Sequence, residues 1–148
     1  MYNVQDIIKY NSCIFIFGID DWMDILQLSN SMCKENKIII VEPDLFRYKK
    51  YYNDIIENII LIYFDENNIS YLQQALINTV TIYNYKNIVI GNSINYDERY
   101  KESYDMFQSI IKDYCYKLNV AQNTLETFKE INLKNSIYYL NSLNSAVL

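Results

Sequence analysis

Histidine is absent from this chain of 148 residues. Its absence removes the commonest general base, every Ser-His or Cys-His pair and the usual zinc chemistry. Glycine occurs twice and proline once, and no Gly/Ser-rich linker or internal repeat divides the chain. Three cysteines, Cys13, Cys33 and Cys115, are far apart with no CxxC spacing. They fit reduced, mostly buried thiols of a cytoplasmic protein better than a disulfide framework. No apolar run approaches the roughly eighteen residues of a membrane span. The N-terminal MYNVQDIIKYNS also lacks the basic start, apolar run and cleavage site of a signal peptide. Cations are in deficit as well. Thirteen Lys and Arg against 18 Asp and Glu give a net charge of −5, the wrong sign for a nucleic-acid footprint. Neither a nucleic-acid nor a membrane partner is expected.

What is present is mostly apolar. Hydrophobic residues make up 51% of the chain, enough for one ordered domain with a sizeable core. Sixteen tyrosines accompany an excess of Asn, Ile and Lys; AT-rich coding explains this more simply than a sugar- or base-stacking surface does. The stretch Ser12–Asp44 organises the rest. Its apolar run Cys13–Phe17 stops at Gly18, and a second, Ile38–Val41, stops at Glu42-Pro43. Uninterrupted β-branched and aromatic runs suit strands buried on both faces of a parallel sheet. Roughly twenty intervening residues leave room for the crossover helix. Gly18 and Glu42, about two dozen residues apart, sit where a nucleotide-binding βαβ unit places its phosphate turn and ribose-binding acid.

Around this unit the pattern predicts a lead-in helix over Val4–Tyr10. It predicts strands at Cys13–Phe17, Lys37–Val41, Ile59–Phe64 and Asn87–Ile90, the last stopped by Gly91. Asp20 or Asp21 caps a helix striped by Trp22, Ile25, Leu26, Leu28 and Met32. Pro43 opens the next, with Leu45, Tyr48, Tyr52, Ile55 and Ile56 at helical spacing. A third starts near Ser70 with Leu72, Ala75 and Leu76 inward. Apolar strands alternating with helices predict an α/β fold, a Rossmann-like, mainly parallel sheet of about four strands with flanking helices. A long C-terminal helix is expected from Tyr96, so that residues 1–95 form the core and 96–148 a helical extension of the same domain. Within it Tyr100, Tyr104, Phe107, Ile111, Tyr114, Leu118, Ala121, Leu125 and Phe128 step by four and three, a heptad seam. A bend or fresh cap at Thr124 follows, then an amphipathic tail over Leu133–Leu143 carrying Ile137, Tyr138, Leu140 and Leu143.

The candidate ligand-binding residues are Gly18, Asp20 and Glu42, and the ligand class they suggest is a nucleotide, nucleotide-sugar or S-adenosylmethionine. The turn FGIDDW holds one glycine where dinucleotide loops use three, and its carboxylates occupy the place an anion would take. A plain strand-to-helix turn with acidic caps is the competing reading. Glu42 either accepts from two ribose hydroxyls or joins Asp44 in capping the helix at Pro43. Asp21 and Asp24 lie one turn apart, a pair that suits the helix macrodipole more readily than a cation. No metal site and no catalytic residue is assigned. In RYKKYY the apolar helix face takes Tyr48 and Tyr52, leaving the cations solvated.

Three segments resemble, in order, the N-terminal domain of the motility accessory factor (Maf) flagellin glycosyltransferases. FGIDDWMDIL is similar to that family's strand and turn, IIIVEPDLFRYKK to its second strand and acidic turn, and AQNTLETFKEINLKNSIYYLNSL to its entry into the catalytic domain. The resemblance implies a Rossmann-like domain ahead of a sialyltransferase-like one that moves a nonulosonic acid from its CMP-activated form onto flagellin Ser/Thr. It implies a cytoplasmic accessory module for flagellin glycosylation in motility. Such a module recognises flagellin or a downstream catalytic domain and performs no transfer alone. Ile19-Asp20-Asp21 departs from the family's glycine-richer loop, and no residue here matches its transfer site. The expectation is a truncated or stand-alone relative of the accessory domain. Two other functions compete. One is a small nucleotide or S-adenosylmethionine binder of methyltransferase type, using Gly18 and Glu42. The other is a homodimer joined through the tyrosine-rich helix.

The seam nominates Tyr100, Tyr104, Tyr114, Leu118, Leu125 and Phe128 as interface residues. A helix of that length outruns a domain of this size, so its outer apolar turns need cover. Either Leu133–Leu143 folds back as a hairpin or a second copy supplies it. A homodimer is favoured, because tyrosines suit an amphipathic interface.

Overall fold

Side-chain alternation along two apolar strands decides the layering. Cys13, Phe15 and Phe17 go to one face of the sheet, and Ile14 and Ile16 go to the other. The computed structural model describes residues 11–54, 56 and 58–147, with side chains through residue 135. The lead-in helix expected over Val4–Tyr10, the inward Ile55 and the side chains of Ile137, Tyr138, Leu140 and Leu143 lie outside the described residues.

Strands β1 (Cys13–Phe17), β2 (Lys37–Glu42), β3 (Ile59–Tyr63) and β4 (Ile88–Asn92) form one parallel sheet in the order β3-β2-β1-β4. β1 pairs with β2 from Cys13 opposite Lys37 to Phe17 opposite Val41. On its other side it pairs with β4 from Cys13 opposite Ile88 to Phe17 opposite Asn92. The helices are α1 (Trp22–Asn30), α2 (Leu45–Tyr51), α3 (Ser70–Thr79), α4 (Tyr96–Arg99) and α5 (Lys101–Val147). Trp22, Ile25 and Leu28 of α1 cover the face of Ile14, Ile16, Ile38 and Ile40. Leu72, Ala75 and Leu76 of α3, with Phe107 and Ile111 of α5, cover the face of Phe15, Phe17, Ile39 and Val41. The fold is α/β and Rossmann-like, with a long C-terminal helix.

Several boundaries and packings differ from the sequence expectation. β4 continues through Gly91 to Asn92, because Gly91 keeps its place opposite Ile16 in the ladder. α2 buries no residue, and Leu45, Tyr52 and Ile56 are exposed. It lies over β3, an edge strand, so only its tyrosines reach inward. Tyr48 meets Tyr63 at 6.0 Å and Tyr51 stacks on Trp22 at 5.2 Å. Of the free cysteines, Cys13 is buried and Cys115 half-buried, whereas Cys33 is exposed. α4 and α5 are separated only at Tyr100, whose ψ of 49° leaves the helical region. Beyond it α5 runs unbroken to Val147. The Thr124 and Thr127 hydroxyls donate back to the Val120 and Asn123 carbonyls inside the helix, so neither starts a new one. Leu133–Leu143 therefore continues outward as helix and does not return as a hairpin.

Candidate functional site

Gly18 leaves β1 at φ +91°, in the region that favours glycine. A Cβ there would fall 2.2 Å from the Tyr96 ring. The turn is therefore packed shut by α4, and its first two backbone donors are engaged. Gly18 N–H donates to the Val41 carbonyl at 2.8 Å, and Ile19 N–H donates to Glu42 Oε1 at 3.2 Å. These are the groups a phosphate would take at such a turn. Ser93 Oγ donates to the Gly18 carbonyl at 2.8 Å.

Glu42 is 0% exposed at the end of β2. Its Oε1 also accepts from the Tyr96 hydroxyl at 2.9 Å, and its Oε2 accepts from Asp44 N–H at 3.2 Å. Burial raises the Glu42 pKa above its ordinary value, against the pull of these three donors. The Tyr96 hydroxyl is raised too, by its own burial and by the Glu42 charge. Arg47 Nη1 donates to the Ile19 carbonyl, which also lies 3.1 Å from the Tyr96 hydroxyl. Glu42 thus ties the β1 turn, the start of α2 and α4 together. The cap of α2 is Asp44, which accepts from Phe46 N–H at 2.9 Å and from Arg47 N–H.

An open crevice lies on the other side of the turn. β1 leads through α1 to β2 on one side, whereas β4 joins on the opposite side, so the winding reverses between β1 and β4. Ligands of open parallel sheets sit outside the strand carboxyl ends at such a reversal. A cavity of about 250 Å³ opens there, with Ile16, Ile25 and Leu28 below and Asp20, Asp21 and Asp24 along one wall. Asn92, Ser93 and Ile94 form the other wall. Asp21 caps α1 by accepting from Met23 N–H at 3.0 Å. Of the three sequence candidates, Asp20 lines this crevice, whereas Gly18 and Glu42 belong to the packed network beside it. Asn92, Ser93 and Ile94 were not singled out from the sequence, because strand order is not written in it. The signal that points to them is their position directly after the fourth apolar run. Among the described residues no group of three or more His, Cys, Asp or Glu could hold a metal ion. A broader hollow of about 540 Å³ lies at the amino ends of the strands, beside Lys34, Lys37, Ser29 and Asn58, away from the reversal.

The heptad seam divides in two. Tyr100, Tyr104, Tyr114 and Leu118 pack against the chain's own core. The Tyr104 ring lies 5.3 Å from that of Phe17, and the Tyr114 hydroxyl donates to the Val80 carbonyl at 3.3 Å. Leu125 and Phe128 are 48% and 64% exposed, and Val120, Ile131 and Leu133 are exposed beside them. No helix among the described residues is long and apolar enough to cross a membrane. No family model matches the chain, and neither a curated protein nor a solved structure matches it.

Proposed function

We propose that this chain is an accessory domain of a Maf-like flagellin glycosyltransferase, recognising an acceptor or partner protein and performing no transfer alone. The observation that carries this reading is the outer part of α5. Its apolar side chains from Val120 to Leu133 stand in water, beyond the last residues that pack on the sheet. Burial of each large side chain of this kind is worth about 1.5–3 kcal/mol, so a protein surface is the cover that suits them. The closed Gly18 turn supports the same reading, since its Gly18 and Ile19 N–H groups are already taken by Val41 and Glu42 and the Tyr96 ring fills the space beside it. The 250 Å³ crevice is also below the roughly 300–1,000 Å³ of pockets that enclose larger ligands.

A homodimeric module is the second reading, favoured by the four-three spacing that continues through Leu125 and Phe128. The nucleotide or S-adenosylmethionine reading draws only on the crevice's place in the sheet. Calorimetric titration with CMP, a CMP-nonulosonic acid and S-adenosylmethionine tests the proposal. No heat of binding is expected from any of them. Saturable S-adenosylmethionine binding, weakened in Asp20→Asn, would replace it with the methyltransferase-type reading. Glu42→Ala is unsuited to that test, because it strips a buried network rather than a ligand contact.

A further inference from the structure

We infer that the outer edge of β4 is a pairing edge and that the partner it fits is a second copy of this chain, joined antiparallel across a two-fold axis at Ile90. The sheet of described residues ends at β4, and all five residues from Ile88 to Asn92 are half-exposed. Ser93 N–H donates to the Phe17 carbonyl at 2.9 Å. By strand alternation the amides of Val89 and Gly91 also face β1, and those of Ile88, Ile90 and Asn92 face outward. Neither a lysine, a proline nor a bulge blunts this edge. An axis at Ile90 sets Ile90 opposite its own copy, Ile88 opposite Asn92 and Val89 opposite Gly91. The outward amides and carbonyls of Ile88, Ile90 and Asn92 then meet as hydrogen-bonded pairs, with Val89 and Gly91 in the non-bonded positions between them. The side chains agree with this register. Ile88 and Ile90 pack on the face of Phe15 and Phe17, and Val89 on the face of Ile14 and Ile16. A two-fold axis normal to the sheet keeps each on its own face. Ile90 gains a second isoleucine beside it, and Val89 covers the place where Gly91 has no side chain. Although the chain carries a net charge of −5, residues 87–94 carry none, so this edge meets itself without like-charge contact. The opposite edge is different, because β3 is buried at three of its five positions and runs on into Asp65 and Glu66. Such an isologous contact closes at two copies.

The inference is independent of the partner contact proposed on α5, and the test separates the two. Sedimentation velocity of the whole chain should show a reversible monomer–dimer equilibrium with a Kd of about 1–100 µM, as a contact smaller than a standard interface gives. Hydrogen exchange followed by NMR supplies the fingerprint. Between about 20 µM and about 500 µM chain, exchange of the Ile88, Ile90 and Asn92 amides should slow about three- to fivefold, with Val89 and Gly91 unchanged. Ile90→Lys sets two cations opposite one another and should weaken dimerisation at least about tenfold. The Leu125→Asp, Phe128→Asp double variant should dimerise as the unaltered chain does. The exchange pattern needs no substitution, so it decides the matter should Ile90→Lys fail to fold. A monomer at all these concentrations overturns the inference. So does a dimer abolished by the α5 double variant, undiminished dimerisation of a folded Ile90→Lys, or a dimer whose alternating amides do not respond to concentration.

Discussion

Gly18 and Tyr96 leave each other no slack, and the consequences are local and measurable. Gly18→Ala places a methyl carbon 2.2 Å from the Tyr96 ring at a backbone angle that L side chains avoid. Overpacking and backbone strain each cost about 1–3 kcal/mol, so urea unfolding should show a loss of about 2–6 kcal/mol. Glu42 gives a pH signature. Burial raises its pKa from the ordinary 4.5, so the native chain holds that proton more tightly than the unfolded chain. Its contribution to stability is fully present below 4.5 and is lost as pH rises through the raised value. In Glu42→Gln that component disappears. Between about pH 4 and pH 7 the urea midpoint of the unaltered chain should therefore fall relative to that of Glu42→Gln as pH rises, and a constant difference or a relative rise would refute the assignment. Both residues were legible as special in the sequence. What they serve was not, because Tyr96 arrives from 54 residues beyond Glu42 and no local pattern announces that meeting.

At the scale of elements, the apolar runs were easiest to read. Cys13–Phe17 and Lys37–Val41 lie side by side and parallel, since strands buried on both faces can carry hydrophobic residues at every position. α2 was harder. Its helical spacing of apolar residues is real, yet an edge position leaves half of them in water. α5 reads correctly as one seam and then changes its role along its length. Phe107 is fully buried against Phe17 and Phe64, whereas Phe128 is mostly exposed. Phe107→Ala should cost about 3–5 kcal/mol, and Phe128→Ala less than about 0.5 kcal/mol in the monomer. Chemical denaturation of the two variants at low protein concentration makes the comparison. Similar losses would mean that the outer turns are covered by the chain itself.

The whole molecule is a parallel-sheet body with a helix far longer than the body requires. At about 1.5 Å per residue the 47 residues of α5 extend roughly 70 Å, against about 17–20 Å for strands of this size. Charge is unevenly divided between the two parts. Of 13 cationic and 18 acidic side chains, four cations and three acids follow residue 111. The sheet body is thus strongly acidic and the outer helix nearly neutral, so a partner can approach the helix without repulsion from it. The most direct test is sedimentation velocity of the purified chain, alone and mixed with purified flagellin subunits, beside the Leu125→Asp, Phe128→Asp double variant. A faster-sedimenting complex in the mixture, absent with the double variant, is the expected result. A chain that sediments as the same monomer in every mixture contradicts the account.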